Sequence, residues 1–240
     1  MIIAARQSMM TGKKITPVEF GYITSNGNVA IPLDWVFTEQ MLTAKHTFIG
    51  SVSGAWSSGN QYKGYLFSSQ MSNYPSDMTD AERGGFRFYC SNSDRRHTLC
   101  FGYQGWWNYA NRDNYTYNQF HTFSFQHSST LRQFGTYTRD GIAVTMVADS
   151  IYGNITTSNR DPTYNDRPVV LFGRYDYLTG GLGYFDVNPW KFGGWKIELN
   201  NQVIHNYVPA MKGQILGVWD KVTGNFFNPV GTGQLSYGSR

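Results

Sequence analysis

Chemistry in a chain of this composition would fall first to its carboxylates. Glycoside hydrolysis needs two of them, about 5–9 Å apart, flanking the bond to be cut. On a strand that means positions i and i+2, or partners on neighbouring strands. The glutamates are Glu19, Glu39, Glu82 and Glu198, each isolated, and no Glu-x-Asp or Asp-x-Glu pair falls on an expected strand. Asp176 and Asp186 flank a glycine-rich loop at a spacing that suits no such pair. The histidines are His46, His97, His121, His127 and His205. His121 and His127 bracket one expected strand, which sets them about 20 Å apart and rules out a metal shared from that strand alone. No Gly-x-Ser-x-Gly elbow is present to expose a nucleophilic serine. Calcium needs several clustered oxygens, and only Asn111-Arg112-Asp113-Asn114 and Asn159-Arg160-Asp161 offer strings of them, as polar loops do by chance. No catalytic residue, metal or cofactor is expected.

The cluster Gln104-Gly105-Trp106-Trp107-Asn108-Tyr109-Ala110-Asn111-Arg112-Asp113-Asn114-Tyr115-Thr116-Tyr117 is more informative. Adjacent tryptophans on an extended chain point in different directions, so one of them faces solvent or an interface. Trp106, Trp107, Tyr109, Arg112 and Tyr115 are the candidate ligand or interface residues. Flat rings beside amides and a guanidinium suit a sugar, suit a protein interface equally, and suit packing beneath their own loop.

Those residues must be positioned by β structure. The 240 residues hold 17 Tyr, 16 Phe, 7 Trp and 26 Gly, a mixture that fills pleated surfaces and the turns between them. Alternation with period two recurs along the chain and no helical period competes with it. Strands are expected near 17–23, 28–37, 46–53, 63–69, 84–90, 97–103, 120–126, 130–137, 142–148, 168–174, 194–200, 203–208 and 215–219. Turn chemistry separates them at Ser25-Asn26-Gly27-Asn28, Arg139-Asp140-Gly141, Asn200-Asn201 and Thr223-Gly224-Asn225. Ser76 to Arg83 offers the one plausible helical turn, with Ser76 as its N-cap. No internal repeat is visible. The reading is an all-β, two-sheet antiparallel sandwich over 15–240.

Charged residues make up only 15% of the chain and the net charge is +4, without a basic stripe. That argues against nucleic-acid binding. Cys90 and Cys100 stand on one expected hairpin; they read as two buried thiols, with a bridge across the ladder as the alternative. No stretch is long and apolar enough to cross a membrane as a helix. The N-terminus places its charge after its apolar residues, unlike a secretory signal. Residues 1–14 break from the rest in composition and read as an attachment arm, with Arg6, Met9, Met10, Lys13 and Lys14 as its contact residues.

The last third of the chain adds a signature. Pro168-Val169-Val170-Leu171-Phe172-Gly173-Arg174 is followed by Gly194-Trp195 through Tyr207-Val208-Pro209-Ala210, then Gly217-Val218-Trp219-Asp220, Gly224-Asn225-Phe226-Phe227 and Gly231-Thr232-Gly233. With Tyr22 to Ile31 as an opening strand pair, this resembles a concanavalin A-like, laminin-G-like jelly-roll family found in gut bacteriophages. The resemblance spans about residues 17–238. It implies a jelly-roll fold and display on a virion surface, as a head-fibre or capsid-decoration subunit. The arm would attach it to other virion proteins, and a homo-oligomer, with a trimer favoured, would form. A host cell-surface glycan is a further expected partner. The alternatives are a tail-fibre receptor-binding subunit and a carbohydrate-binding module on the bacterial cell surface. The carbohydrate and calcium ligands of the legume-lectin branch are not present in this sequence. From the residues themselves, Gly224 serves a hairpin turn and Pro209 is expected to end a strand.

Overall fold

The computed structural model describes residues 15–36, 48–56, 64–69, 71–72, 77, 86–91, 96–101, 108–109, 118–126, 136–144, 167–176, 178, 180–184 and 190–239. Every element among them is a strand. The first are β1 (Val18–Glu19), β2 (Tyr22–Ser25), β3 (Val29–Val36), β4 (Phe48–Trp56), β5 (Gly64–Ser68) and β6 (Met71–Ser72). Next come β7 (Phe86–Ser91), β8 (Arg96–Phe101), β9 (Asn108–Tyr109), β10 (His121–Gln126), β11 (Thr136–Arg139) and β12 (Ile142–Ala143). Then follow β13 (Pro168–Leu171), β14 (Gly173–Asp176), β15 (Leu182–Tyr184), β16 (Trp190–Leu199) and β17 (Gln202–Lys212). The chain closes with β18 (Ile215–Asp220), β19 (Phe226–Phe227), β20 (Val230–Gly231) and β21 (Leu235–Gly238).

These strands form an eleven-stranded sheet ordered β12-β11-β10-β4-β16-β17-β18-β19, with β1 beside β17 and β2 joining β16 to β21. A seven-stranded sheet runs β20-β3-β13-β5-β7-β8-β9, and a small third sheet is β15-β14-β6. All described pairings are antiparallel except β14 with β6. The expected all-β antiparallel fold is therefore present, with a third sheet that was not expected.

One core lies between the two large sheets. Trp195 of the first is stacked on Phe67 of the second at 4.2 Å and meets Trp35 edge-on at 5.0 Å. Phe88 of the second touches Phe123 and Trp190 of the first. Alternation explains why: on β10, His121, Phe123 and Phe125 turn inward while Thr122 and Gln126 face out. Large rings need room, and glycines make it. The Phe125 ring covers the position a side chain on Gly50 would take, and the Trp190 ring sits against Gly54.

The turns follow the dipeptides that announced them. Asn200 and Asn201 both adopt left-handed φ (52° and 63°), as do Asp140 and Gly141 (53° and 79°), the pattern of a two-residue hairpin with matching twist. Other expectations change. The stretch 17–23 divides into β1 and β2, which lie against different partners. The expected strand 168–174 breaks at buried Phe172, whose φ of 60° turns the chain out of the seven-stranded sheet into the third one. Pro209 does not end its strand: β17 continues to Lys212, with Pro209 opposite Val218. Its carbonyl accepts from Phe20 N–H at 2.9 Å, so the ring nitrogen faces the same side, where only short β1 runs and no ladder donor is needed. The helical turn expected over 76–83 lies outside the described residues except for Asp77.

Candidate functional site

The polar residues that the fold gathers come from distant parts of the sequence. Asp34 stands on β3 in the seven-stranded sheet, while His205 and Tyr207 stand on β17 and Asp220 ends β18 in the eleven-stranded one. One ligand-type atom from each of Asp34, His205 and Asp220 lies within 4.8 Å of the others. The sequence showed no carboxylate pair; the fold makes one by bringing Asp34 to Asp220 across the two sheets.

Its bonding decides what the group can do. Asp220 is fully buried. Its Oδ1 accepts from Asn206 N–H (2.9 Å) and Val222 N–H (3.0 Å), and its Oδ2 accepts from the Thr223 hydroxyl (2.9 Å) and pairs with His205 Nδ1 (2.8 Å). Four partners fill the roughly four lone-pair positions of a carboxylate. Burial alone would raise the Asp220 pKa; the Asn206 amide, His205, the Val222 amide and Thr223 outweigh it and hold the carboxyl below its ordinary value. Asp34 Oδ1 accepts from the Tyr207 hydroxyl (2.7 Å) and Oδ2 from the Asn225 amide (3.1 Å). Burial, and then the Asp34 carboxylate beside it, push the Tyr207 hydroxyl well above its usual range. The His205 ring stacks on Tyr207 at 5.0 Å, the two planes nearly parallel.

A cation would have to displace these donors, and a substrate could not reach Asp220. Asp34, by contrast, accepts one bond at each oxygen and its side chain is 34% exposed, so the solvent-facing edge of the group is Asp34 and the buried, saturated one is Asp220. The group's bonds close the turn after β18 and tie that turn to the opposite sheet.

A second histidine is used in the same way. Buried His121 pairs through Nδ1 with Asp140 Oδ2 at 2.6 Å, and Thr122 N–H donates to Asp140 Oδ1 at 2.8 Å. In both places a strand histidine and the amide after it grip the carboxylate at the far end of the hairpin. At Asp140, burial pushes the carboxyl up, and His121 and the Thr122 amide more than reverse it.

A third turn exposes a repeat not seen in the sequence. Leu171-Phe172-Gly173-Arg174-Tyr175-Asp176-Tyr177-Leu178-Thr179-Gly180-Gly181-Leu182 matches Ile215-Leu216-Gly217-Val218-Trp219-Asp220-Lys221-Val222-Thr223-Gly224-Asn225-Phe226 in type at most positions. The geometry repeats too. Leu178 N–H donates to Asp176 Oδ1 (2.9 Å) as Val222 N–H does to Asp220 Oδ1. Asp176 N–H donates to Gly181 O (3.0 Å) as Asp220 N–H does to Asn225 O (2.9 Å). Gly180 and Gly224 both take left-handed φ, 64° and 79°. The signal was an Asp-x-aliphatic-Thr-Gly string occurring twice, with residues alike in type but seldom identical around it.

The sequence-derived candidates fare differently. Residues 1–14, with Arg6, Met9, Met10, Lys13 and Lys14, lie outside the described residues, as do Trp106, Trp107, Arg112, Tyr115 and both oxygen-rich strings. Of the aromatic loop only Asn108 and Tyr109 are described, as β9, where Tyr109 pairs with His97. The backbone register answers the cysteine question: Cys90 stands opposite His97 and Cys100 opposite Arg87. Three rungs of the backbone ladder, about 10 Å, separate Cys90 from the position facing Cys100, beyond the Cα separation a bridge allows.

No protein-family model matches the chain, and no curated protein matches it. Among solved structures it is similar to a Trypanosoma rangeli sialidase bound to 2,3-difluorosialic acid as a covalent intermediate, with a TM-score of 0.41 and 10% identity over 78% of this chain. The same sialidase with the inhibitor DANA gives a TM-score of 0.41 at 14% identity. The chain spans about a quarter of the length of these enzymes, 26% in both cases. A likeness this distant carries nothing about activity.

Proposed function

We propose that the chain is a structural subunit of a bacteriophage particle, of the head-fibre or capsid-decoration kind, with no catalytic site of its own. Its β-sandwich is displayed at the particle surface. Residues 1–14 attach it to other virion proteins, and copies associate as a homo-oligomer, a trimer by preference.

The observation that carries this reading is the bonding of the Asp34, His205 and Asp220 group. It is the polar cluster most like a reaction centre among the described residues, and its Asp220 acceptors and His205 Nδ1 are committed to partners within the fold. The motif that prompted the phage resemblance, Asp220 to Gly224 with Gly231-Thr232-Gly233, is likewise spent on turns and strand closure. A chain that invests its best-placed polar groups in rigidity suits a displayed scaffold. The rings of Trp106, Trp107, Tyr109 and Tyr115, with Arg112, serve contact with a neighbouring copy or a cell-surface glycan.

The test is biochemical. Purified particles from the phage that encodes this chain should contain it in multiple copies by mass spectrometry. Deleting residues 1–14 should abolish incorporation and leave thermal unfolding nearly unchanged. Absence from particles, or unfolding of the deletion variant, overturns the reading.

A further inference from the structure

We propose that Asn26–Gly27 is a modification site at which Asn26 deamidates through a succinimide only when the C-terminal strand lifts away. It is the sole Asn-Gly dipeptide in the chain. With no side chain on the following residue, ring closure at Asn-Gly is unhindered, so in an open chain this dipeptide is the most reactive asparagine.

In the folded protein both reacting groups are held elsewhere. The nucleophile is the Gly27 backbone nitrogen, and its N–H donates to the Oγ of buried Ser25 at 3.1 Å. The electrophile is the Asn26 side-chain carbon, and its oxygen accepts from Gln234 N–H at 2.8 Å. The backbone on either side is fixed too. Asn26 N–H donates to Gln234 O at 3.1 Å, and Gly233 N–H donates to Asn28 O at 2.9 Å. Gly233 sits so close to the Gly27 carbonyl that a β-carbon there would occupy the oxygen's place. From Leu235 to Gly238 the strand then pairs with β2, Ser25 opposite Leu235 and Tyr22 opposite Gly238. The carboxamide cannot swing over the Gly27 nitrogen until Gln234 departs.

Once Gln234 has left, the Gly27 nitrogen loses its proton and bonds to the Asn26 side-chain carbon, expelling ammonia. Water then opens the imide at either carbonyl, leaving an aspartyl or an isoaspartyl residue where Asn26 stood. The isoaspartyl form carries an extra methylene in the main chain at the turn on which Gly233 rests. Gln234 and Gly233 cannot then recover both of their bonds, so strand release becomes one-way. The site is a chemical clock wound by the opening of residues 231–238.

The experiment incubates the full chain in mildly alkaline buffer and follows amide loss and isoaspartate at residue 26 by peptide mapping. A free peptide spanning Thr24 to Val29 gives the open-chain rate. The wild-type chain should react more than about tenfold more slowly than the peptide, the protection expected of at least one closed hydrogen-bonded state. Ser25→Ala and Gly233→Ala should each react about fivefold faster than wild type, the equivalent of about one hydrogen bond. Should Gly233→Ala fail to fold, hydrogen exchange of the Gln234 amide in the wild-type chain takes its place, and its opening equilibrium should set the deamidation rate. Wild type reacting at the peptide's rate overturns the proposal. So do variants that leave the rate unchanged, or deamidation independent of Gln234 exchange.

Discussion

The Tyr207 hydroxyl donates to Asp34 Oδ1 at 2.7 Å, and that contact joins the eleven-stranded sheet to the seven-stranded one. The ring is fully buried while the carboxylate is about one-third exposed, 34% at its side chain. The bond therefore sits where the core meets solvent, with the apolar ring stack on one side and the Asn225 amide on the other.

Tyr207→Phe should lower stability by about 1 kcal/mol, since water can still reach Asp34 once the hydroxyl is gone. Chemical denaturation measures it. The same variant should change the alkaline limb. With its folded pKa raised, Tyr207 stays protonated in the native state while the unfolded chain ionises above 10.0. Its contribution is whole below that pH and declines above it. The phenylalanine variant should lose less stability than wild type on going alkaline.

Asp220 should govern part of the acid limb. Its folded pKa lies below the ordinary value of 3.8, so its contribution is whole above that pH and is lost as pH falls through the lower, folded value. Asp220→Asn should flatten the acid dependence. At neutral pH it should cost about 3–5 kcal/mol, because a buried carboxylate with four partners is replaced by a group that can accept fewer. An unaltered acid midpoint would contradict this.

The two copies of the Asp turn should respond unequally. Asp176→Ala removes a bond to Leu178 N–H at a half-exposed hairpin and should cost about 1 kcal/mol or less. Asp220→Ala orphans buried donors and should cost several times as much. Paired denaturation curves test whether the shared motif or its surroundings set the energy.

Gly50→Ala should destabilise by about 1–3 kcal/mol, since the new methyl group meets the Phe125 ring and the core has no slack to move it. Combining it with Phe125→Leu should recover part of the loss, because the two positions share one space. Additive losses would show that the ring does not fill the site.

Much of the fold was legible because the signals were local. Phe123 and Phe125 alternate on a strand that forms as read, and Asn200-Asn201 and Asp140-Gly141 turn where such pairs must. Pro209 misled because a proline ends a central strand but is tolerated wherever one flank asks for no donor. The carboxylate group stayed hidden for a different reason. Asp34 and Asp220 meet through sheet packing, and no spacing in the chain encodes a contact between opposite sheets. The Asp176 and Asp220 turns were readable as a repeat, yet their flanks agree in residue type and seldom in identity, and a single short string hides easily among so many hairpins.

The pairing of β2 with β21 has a consequence in time. Tyr22 stands opposite Gly238, so β2 is flanked on one side by a strand far along the sequence and on the other by β16. Pairings across such separations carry a large loop-closure cost, and a fold rich in them belongs among the slow ones. Until β21 docks, the far edge of β2 offers unpaired backbone groups to any passing strand, and β21 is the element that covers it.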